Sequence, residues 1–399
     1  MSKSGDLKRV RGWFSDGTLV DPSGPGPDFV DLARALYSLA GVSGLQLRPE
    51  AFALASAIGH ADHYVLVLID GLGKNLLPFC PKDGFLQSHV VREIRSIYLS
   101  TTASALTTLA TAEYPATHAV TGWWVRLTKQ GISTTILPFV ERFTKKPLTE
   151  LGVNPDEVFT TPSVLPRLAY SPLTINRDMF TDTVYTRYSS GGTPVKGYKE
   201  PEEAFALATE RIATAYRPTF TFIYLPHVDS EAHTKGIDAP EVASLFAKFD
   251  SLLADFNSKK GPDTRLIVTG DHGHVNCLDQ LFLDEGSELM DCLECPPTGE
   301  PSVPFFHVKR GKVRTFRKVF ESVYGEYFAL LSVSEVEGLQ LLGPGKLSPL
   351  AKARLGTFIG IEPRPASLNF RPKDGKVSLN RGIHAGLTPD EMIVPLILA

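Results

Sequence analysis

Three short apolar runs organise the hydrophobic pattern of this chain, and each ends abruptly in Asp or His. They are YVLVLID (64–70), TFTFIYLPHVD (219–229) and RLIVTGDHG (265–273). Runs this short, β-rich and mainly apolar predict buried strands, as in a parallel sheet. Between them, EEAFALATERIATAY (202–216) and APEVASLFAKFDSLLADF (239–256) repeat apolar positions every three or four residues, the signature of helices packed on one face. An earlier helix with one polar side is predicted over FVDLARALYSLAG (29–41), closed by Gly41. Strand and helix in alternation predict an α/β fold, a mostly parallel central sheet with helices on both faces. Two stretches interrupt it: 121–200, rich in Thr, Pro, Gly and Tyr, and 277–375, with its Pro-rich CPPTGEPSVPFF. Both are expected to be caps or insertions within one domain spanning 1–399.

Because neighbouring parallel strands open their carboxyl ends onto one crevice, the polar residues that end these runs are expected to converge. Asp229 and His233 stand four residues apart, so a helix starting at the strand end turns both toward one point. A capping Asp followed by a surface His explains that spacing equally well when it stands alone. Asp271 and His272 leave an apolar strand between Gly270 and Gly273, where a polar pair without partners costs several kcal/mol. His274 is offset from that pair and reads as a supporting residue. Together with Asp70 and His384, these groups form the ligand inventory of a two-metal site, with carboxylate and imidazole suited to zinc and also to manganese or iron. In YLSTTASALTTLATA (98–112) three hydroxyls precede a helical segment. There, backbone N–H groups and the dipole favour an alkoxide or a bound phosphate, which marks Thr102 as a nucleophile. Ser100 or Thr101 is expected to cap that helix.

Composition narrows the classes. The 399 residues are 43% hydrophobic and 21% charged, with a formal net charge of -3. That balance gives no global attraction to long nucleic acid or an anionic membrane, so an anionic substrate must be held locally. The amino-terminal segment MSKSGDLKRVRGWF carries charges and no apolar signal core, and no run is long enough to span a membrane. A cytoplasmic protein is expected. Four cysteines do not resemble a disulfide framework. Cys292 and Cys295 form one C-x-x-C pair, whose spacing alone leaves metal binding, a redox disulfide and no role open.

The ordered set VLVLIDGLG, STTASALTTLATAEYPATHAVTGW, YLPHVDSEAHTKG, IVTGDHGH and GIHAGLTPDEMIVPLIL resembles the alkaline phosphatase superfamily, and within it the type I phosphodiesterase/nucleotide pyrophosphatase family. The resemblance implies an alkaline phosphatase-like fold and a metal-dependent phosphoric ester hydrolase with two Zn2+, or Mn2+ in their place. It assigns Asp70, Thr102, Asp271 and His272 to one ion and Asp229, His233 and His384 to the other. It also implies a phospho-threonine intermediate at Thr102, a small phosphate ester or nucleotide as substrate, and a structural role for His118. Where the family typically follows the nucleophile with Phe-Pro-Asn, this chain has Ala103-Ser104-Ala105 and lacks an amide donor to the phosphoryl oxygen. A phosphomonoesterase or phosphomutase-like enzyme on the same scaffold is the first alternative, and a catalytically inactive phospho-ligand binding protein the second. Trp123 and Trp124 either wall the substrate site or pack at a sheet edge, whereas Lys74, Asn75 and Arg126 are candidate phosphate contacts.

Overall fold

The computed structural model describes residues 5–399, so the first four residues of the charged amino-terminal segment lie outside it. Seven strands form the central sheet: β1 (His63–Ile69), β2 (Val90–Arg95), β3 (Ser171–Arg177), β4 (Val195–Tyr198), β5 (Thr219–Leu225), β6 (Thr264–Thr269) and β7 (Ile393–Leu398). Their order in space is β2-β7-β6-β1-β5-β3-β4. β1 pairs in parallel with β5 and β6, and β5 with β3, while β7 runs antiparallel to both of its neighbours. The sheet is therefore mostly parallel, as its apolar runs predict.

Alternation along β1 explains the two-sided core. Tyr64, Leu66 and Leu68 enter one apolar cluster with Leu36 and Leu109, whereas Val65, Val67 and Ile69 enter another with Phe246, Phe249 and Leu253. The first face is covered by α1 (Phe29–Leu39) and α2 (Thr102–Thr111), and the second by α3 (Pro201–Ala213) and α5 (Pro240–Lys259). Between α3 and α5 in the chain, α4 (His227–Lys235) follows β5 directly. Burying each of these Val, Leu or Ile side chains stabilises the fold by about 1.5–3 kcal/mol.

α1 ends as its sequence predicts, with Gly41 in the left-handed region at φ +86°, where an added Cβ would lie 2.5 Å from that of Ala169. Of its polar positions, however, Asp31 is fully buried, whereas Arg34 and Ser38 are half-buried. Asp28 and Asp31 form a capping box, and the Arg48 guanidinium bonds both carboxylates, which keeps the buried Asp31 paired.

The interrupting stretches contribute to two sheets. Residues 171–198 supply β3 and β4 at one edge of the central sheet. Trp124–Leu127 and Ile132–Thr135 join Thr298–Gly299, Pro304–Phe306 and Phe358–Ile361 in a second, antiparallel sheet, where Gly299 pairs with Trp124. This sheet joins the two stretches, and beside the Gly299–Trp124 pair the Trp123 N–H donates to Glu300 Oε1. Cys292 packs in an apolar cluster with Phe306 and Phe316, and none of the four cysteines is in a disulfide. Among the described residues, no helix is long and apolar enough to cross a membrane.

Candidate metal centre

The register of β1 with its two neighbours sets Asp70, Asp229 and Asp271 side by side. Ile69 pairs with Leu225 and Leu68 with Thr269, so Asp70 follows one strand, Asp229 lies in the first turn of α4, and Asp271 leaves β6. Gly273 lets the Asp271-His272 turn approach closely, since a Cβ there would fall 1.8 Å from the Asp390 carbonyl oxygen.

Two ligand groups result. Asp70, Asp271 and His272 form one, and Asp229, His233, His274 and His384 the other, with donor atoms in each within 4.8 Å of one another. In the first, His272 Nε2 lies 3.4 Å from Asp70 Oδ1 and 3.5 Å from Asp271 Oδ2. In the second, the Nε2 atoms of His233, His274 and His384 lie 3.3, 3.3 and 3.5 Å from Asp229 Oδ1. His274 thus stands against the Asp229 carboxylate. Its G-x-H spacing signalled proximity, but not which carboxylate it would meet.

The remaining atoms of these side chains are fixed by the fold. His233, His272 and His384 direct Nδ1 to the carbonyl oxygens of Gly382, Gly273 and Ser100 at 2.8, 2.9 and 2.9 Å. A carbonyl only accepts, so in His272 and His384 Nδ1 donates and Nε2 is left to face a cation, whereas His233 Nδ1 also lies 3.1 Å from the Asn380 amide nitrogen. Asp271 Oδ1 accepts from the backbone N–H groups of Gly71 and His272, and Asp70 Oδ2 accepts from the Tyr224 hydroxyl. Asp70 Oδ1, Asp229 Oδ1 and Asp271 Oδ2 are buried without hydrogen-bond partners. Three orphaned carboxylate oxygens opposite imidazole Nε2 atoms fit a pair of divalent cations, which would offset the cost of burying them.

Electrostatics differ between the groups. Burial, reinforced by Asp271 and Asp229, holds the Asp70 carboxyl well above the usual carboxylate range, and burial raises Asp271 too. Burial alone would raise Asp229, but His233, His274 and His384 together hold it well below that range. Burial also keeps His384 neutral by depressing its pKa.

Thr102 begins α2, with Oγ1 3.5 Å from Asp70 Oδ2 and 3.3 Å from His272 Nε2. The expected caps are absent. Thr101 Oγ1 donates to Glu300 Oε1 and Ser100 Oγ to the Gly386 carbonyl, so no side chain caps the first turn. Ser104 Oγ donates to the Val120 carbonyl, and Ala105 is buried, so neither replaces the missing amide.

Glu300 carries no sequence signal, because it enters from a Pro-rich loop far along the chain. Its Oε1 also accepts from the Trp123 backbone N–H, and burial pushes its carboxyl up to about 7. The half-buried Trp123 lines cavities on both sides of Thr102, whereas Trp124 lines one and carries the Arg142 guanidinium 3.5 Å from its ring centroid. Asn75 lines neither; its amide donates to the His274 carbonyl behind the ligands. Lys74 pairs with Glu93, and Arg126 donates to the Gly131 carbonyl. His118 is buried and neutral, lying 3.1 Å from Thr108 Oγ1 and accepting the Val120 N–H, as a structural residue would.

A mostly parallel α/β sheet with metal-ligand groups at its strand ends is the arrangement of a metal-dependent phosphoesterase of the alkaline phosphatase superfamily. The sequence profile of the type I phosphodiesterase/nucleotide pyrophosphatase family matches residues 64–319, and the chain belongs to that family. It is accordingly a phosphoric ester hydrolase. No curated protein sequence matches it. Among solved structures, murine ectonucleotide pyrophosphatase/phosphodiesterase 5 superposes with a TM-score of 0.61 at 15% identity, over 84% of this chain and 87% of that one. The human counterpart gives 0.63 at 15% identity over the same shares. Phosphonoacetate hydrolase from Sinorhizobium meliloti 1021, in complex with phosphonoacetate, gives 0.60 at 15% identity, over 84% and 89%. These likenesses establish the shared fold.

Proposed function

We propose that this chain is a two-metal phosphodiesterase or nucleotide pyrophosphatase working through a phospho-threonine at Thr102. The observation that carries the reading is the place of Thr102 Oγ1, within 3.5 Å of Asp70 and His272 at the uncapped start of a helix. Asp70, Thr102, Asp271 and His272 would hold one zinc and Asp229, His233 and His384 the other, supplying positive charge to offset the phosphoryl oxygens and to lower the pKa of the threonine hydroxyl.

In the first step Thr102 Oγ1 loses its proton and bonds to phosphorus, the bond to the leaving oxygen breaks, and that oxygen takes up a proton. In the second, water adds to phosphorus, the bond to Oγ1 breaks and Thr102 regains a proton. The first turn of α2, which no side chain caps, would offer its free backbone N–H groups to the oxygens that gain charge. Two in-line displacements leave the configuration at phosphorus retained. An inactive variant of the murine relative has been solved with AMP, which supports a nucleotide as one substrate type.

The test is hydrolysis of bis-p-nitrophenyl phosphate against p-nitrophenyl phosphate by metal-stripped protein with zinc or manganese restored. Zinc-dependent preference for the diester is expected. Preference for the monoester would move the assignment to a phosphatase, for which the absent amide at Ala105 is the structural reason. No turnover of either ester with metal bound would favour a binding protein.

A further inference from the structure

Two cavities meet at Thr102, Trp123 and Asp229, which line both. The first, about 430 Å³, has Asp70 in its wall and is otherwise built largely from apolar side chains such as Leu106, Leu109 and Phe222. The second, about 360 Å³, is lined by His233 and His384, which the first lacks. That difference orients the reaction. In-line displacement puts the leaving oxygen across phosphorus from Thr102 Oγ1. Because Thr102 stands against Asp70 and His272, the leaving oxygen points toward Asp229, His233 and His384, and the cavity open to that group is the second.

The walls of the second cavity accept hydrogen bonds more than they donate them. The Thr101 hydroxyl and the Trp123 N–H both donate to Glu300 Oε1, which fixes the carboxyl and leaves Oε2 without a donor among the described residues. Ser367 and Asn369 alternate along the strand Ala366–Arg371, so they share one face of it, and both line the cavity. The Asn369 amide nitrogen donates to the Leu281 carbonyl and to Ser367 Oγ, so Oδ1 is the atom it has left to offer. Ser302 Oγ gives its proton to the His384 carbonyl and keeps its lone pairs. Among the described residues, no Lys or Arg lines this cavity. Arg142, stacked on the Trp124 ring, donates instead to the Pro297 carbonyl. The half-buried Trp123 and Trp124 add flat ring surface. A guest that brings O–H or N–H donors finds partners here, whereas an anionic guest meets a carboxylate with no cationic side chain to offset it.

We propose that this second cavity selects the leaving alcohol of the diester, favouring one that carries further hydroxyl or ammonium donors for Glu300 and Asn369 and disfavouring an anionic one. The inference rests on the phosphodiesterase reading above and divides it. A diester of a donor-bearing neutral or cationic alcohol is the substrate class, and a pyrophosphate bond, whose leaving group is anionic, is not. Glu300 and Asn369 are the residues that set this specificity, Glu300 by charge and Asn369 by a single hydrogen bond.

The experiment uses phenylphosphonate monoesters, which have only one ester bond to break, and the zinc-restored full chain at pH 8, above the value of about 7 to which burial pushes the Glu300 carboxyl. Nitrophenolate release is compared for leaving groups of similar acidity: 4-nitrophenol and its 3-hydroxymethyl, 3-aminomethyl and 3-carboxy derivatives. Relative to the unsubstituted ester, kcat/KM should rise about fivefold with hydroxymethyl and at least about tenfold with aminomethyl, as neutral and charge-assisted hydrogen bonds allow, and fall at least about tenfold with the carboxylate. Glu300→Gln should lower the aminomethyl-to-carboxy ratio at least about tenfold. A merely structural role would slow all of the esters alike and leave that ratio unmoved. Asn369→Ala, which keeps both anchors of Glu300, should lower the hydroxymethyl-to-unsubstituted ratio roughly two- to fivefold and serves if the first variant does not fold. Equal rates across the series, preference for the carboxylate, or ratios unchanged in both variants would overturn the selection and leave the phosphodiesterase standing. Release from none of the esters, with zinc bound, would overturn the underlying reading and this inference with it.

Discussion

The two ligand groups are built from the same residue types in opposite proportion. Asp70, Asp271 and His272 are fully buried and dominated by carboxylates, whereas Asp229 stands among His233, His274 and His384 in a setting where Asp229 and His233 are partly exposed. In the first group the carboxylates repel one another in a dry site; in the second, imidazoles draw one carboxylate into its ionised form. The first therefore depends on an external cation for its charge balance, and the second is partly balanced by its own side chains. Thr102 lies against the first group, where the need for positive charge is greatest.

The largest expected effect tests which group serves the nucleophile. Thr102→Ala should lower kcat by at least ~10³-fold, the scale seen when a covalent nucleophile is lost, while elemental analysis still finds two metals per chain. Turnover surviving that change would remove Thr102 from the chemistry.

Next comes the contrast itself, read as stability against pH in metal-free protein. Asp70 has its folded pKa raised above the ordinary 3.8, so the folded state holds the proton more tightly and loses stability as pH climbs above that value. Asp229 has its folded pKa lowered, so its contribution is present above the ordinary value and vanishes as pH falls through the lower one. Asp70→Asn should thus raise the Tm of the metal-free protein at pH 7.5, and Asp229→Asn should lower it, while both lose bound metal. Shifts of the same sign in the two variants would erase the distinction between the groups.

Glu300 provides a smaller test on the histidine-rich side. Its carboxyl rises from an ordinary 4.5 to about 7, so ionisation costs stability that is lost progressively between those pH values. In metal-free protein, Glu300→Gln should match the parent below pH 4.5 and exceed it by up to roughly 3 kcal/mol above pH 7. Denaturant unfolding at both pH values checks the sign. The smallest effect is Asn75→Ala, which removes one hydrogen bond to the turn bearing Asp271 and His272. Zinc affinity should weaken about fivefold, in line with ~1 kcal/mol for that bond; an altered diester KM with unchanged zinc affinity would instead make Asn75 a substrate contact.

What the sequence revealed follows from burial. β1, β5 and β6 are covered on both faces, so they read as unbroken apolar runs, and the residues where they surface stand out as the candidate site. β2, whose V-V-R-E-I-R mixes apolar and charged positions, and β3 and β4 lie at or near the sheet edges, where much of each strand is only partly buried and the apolar pattern weakens. The second sheet was hidden for another reason: its strands are two to four residues long and pair across long separations, as Gly299 does with Trp124. Glu300, Asn75 and the apolar cavity share that origin. Each acquires its setting from chain segments far away in sequence, which no local pattern encodes.

The antiparallel β7 sits between β2 and β6, and the segment leading into it carries His384. On the ribosome, at about 5–20 residues per second, His384 would emerge roughly 15–60 s after Asp70. A nascent chain can gather Asp70, Asp229 and Asp271 well before it owns its last imidazole, and β6 meanwhile waits without its neighbour. Filling of the second ligand group is thereby coupled to the arrival of the β7 segment, so chains that stop short of His384 would show an unpaired β6 edge and an incomplete set of imidazoles.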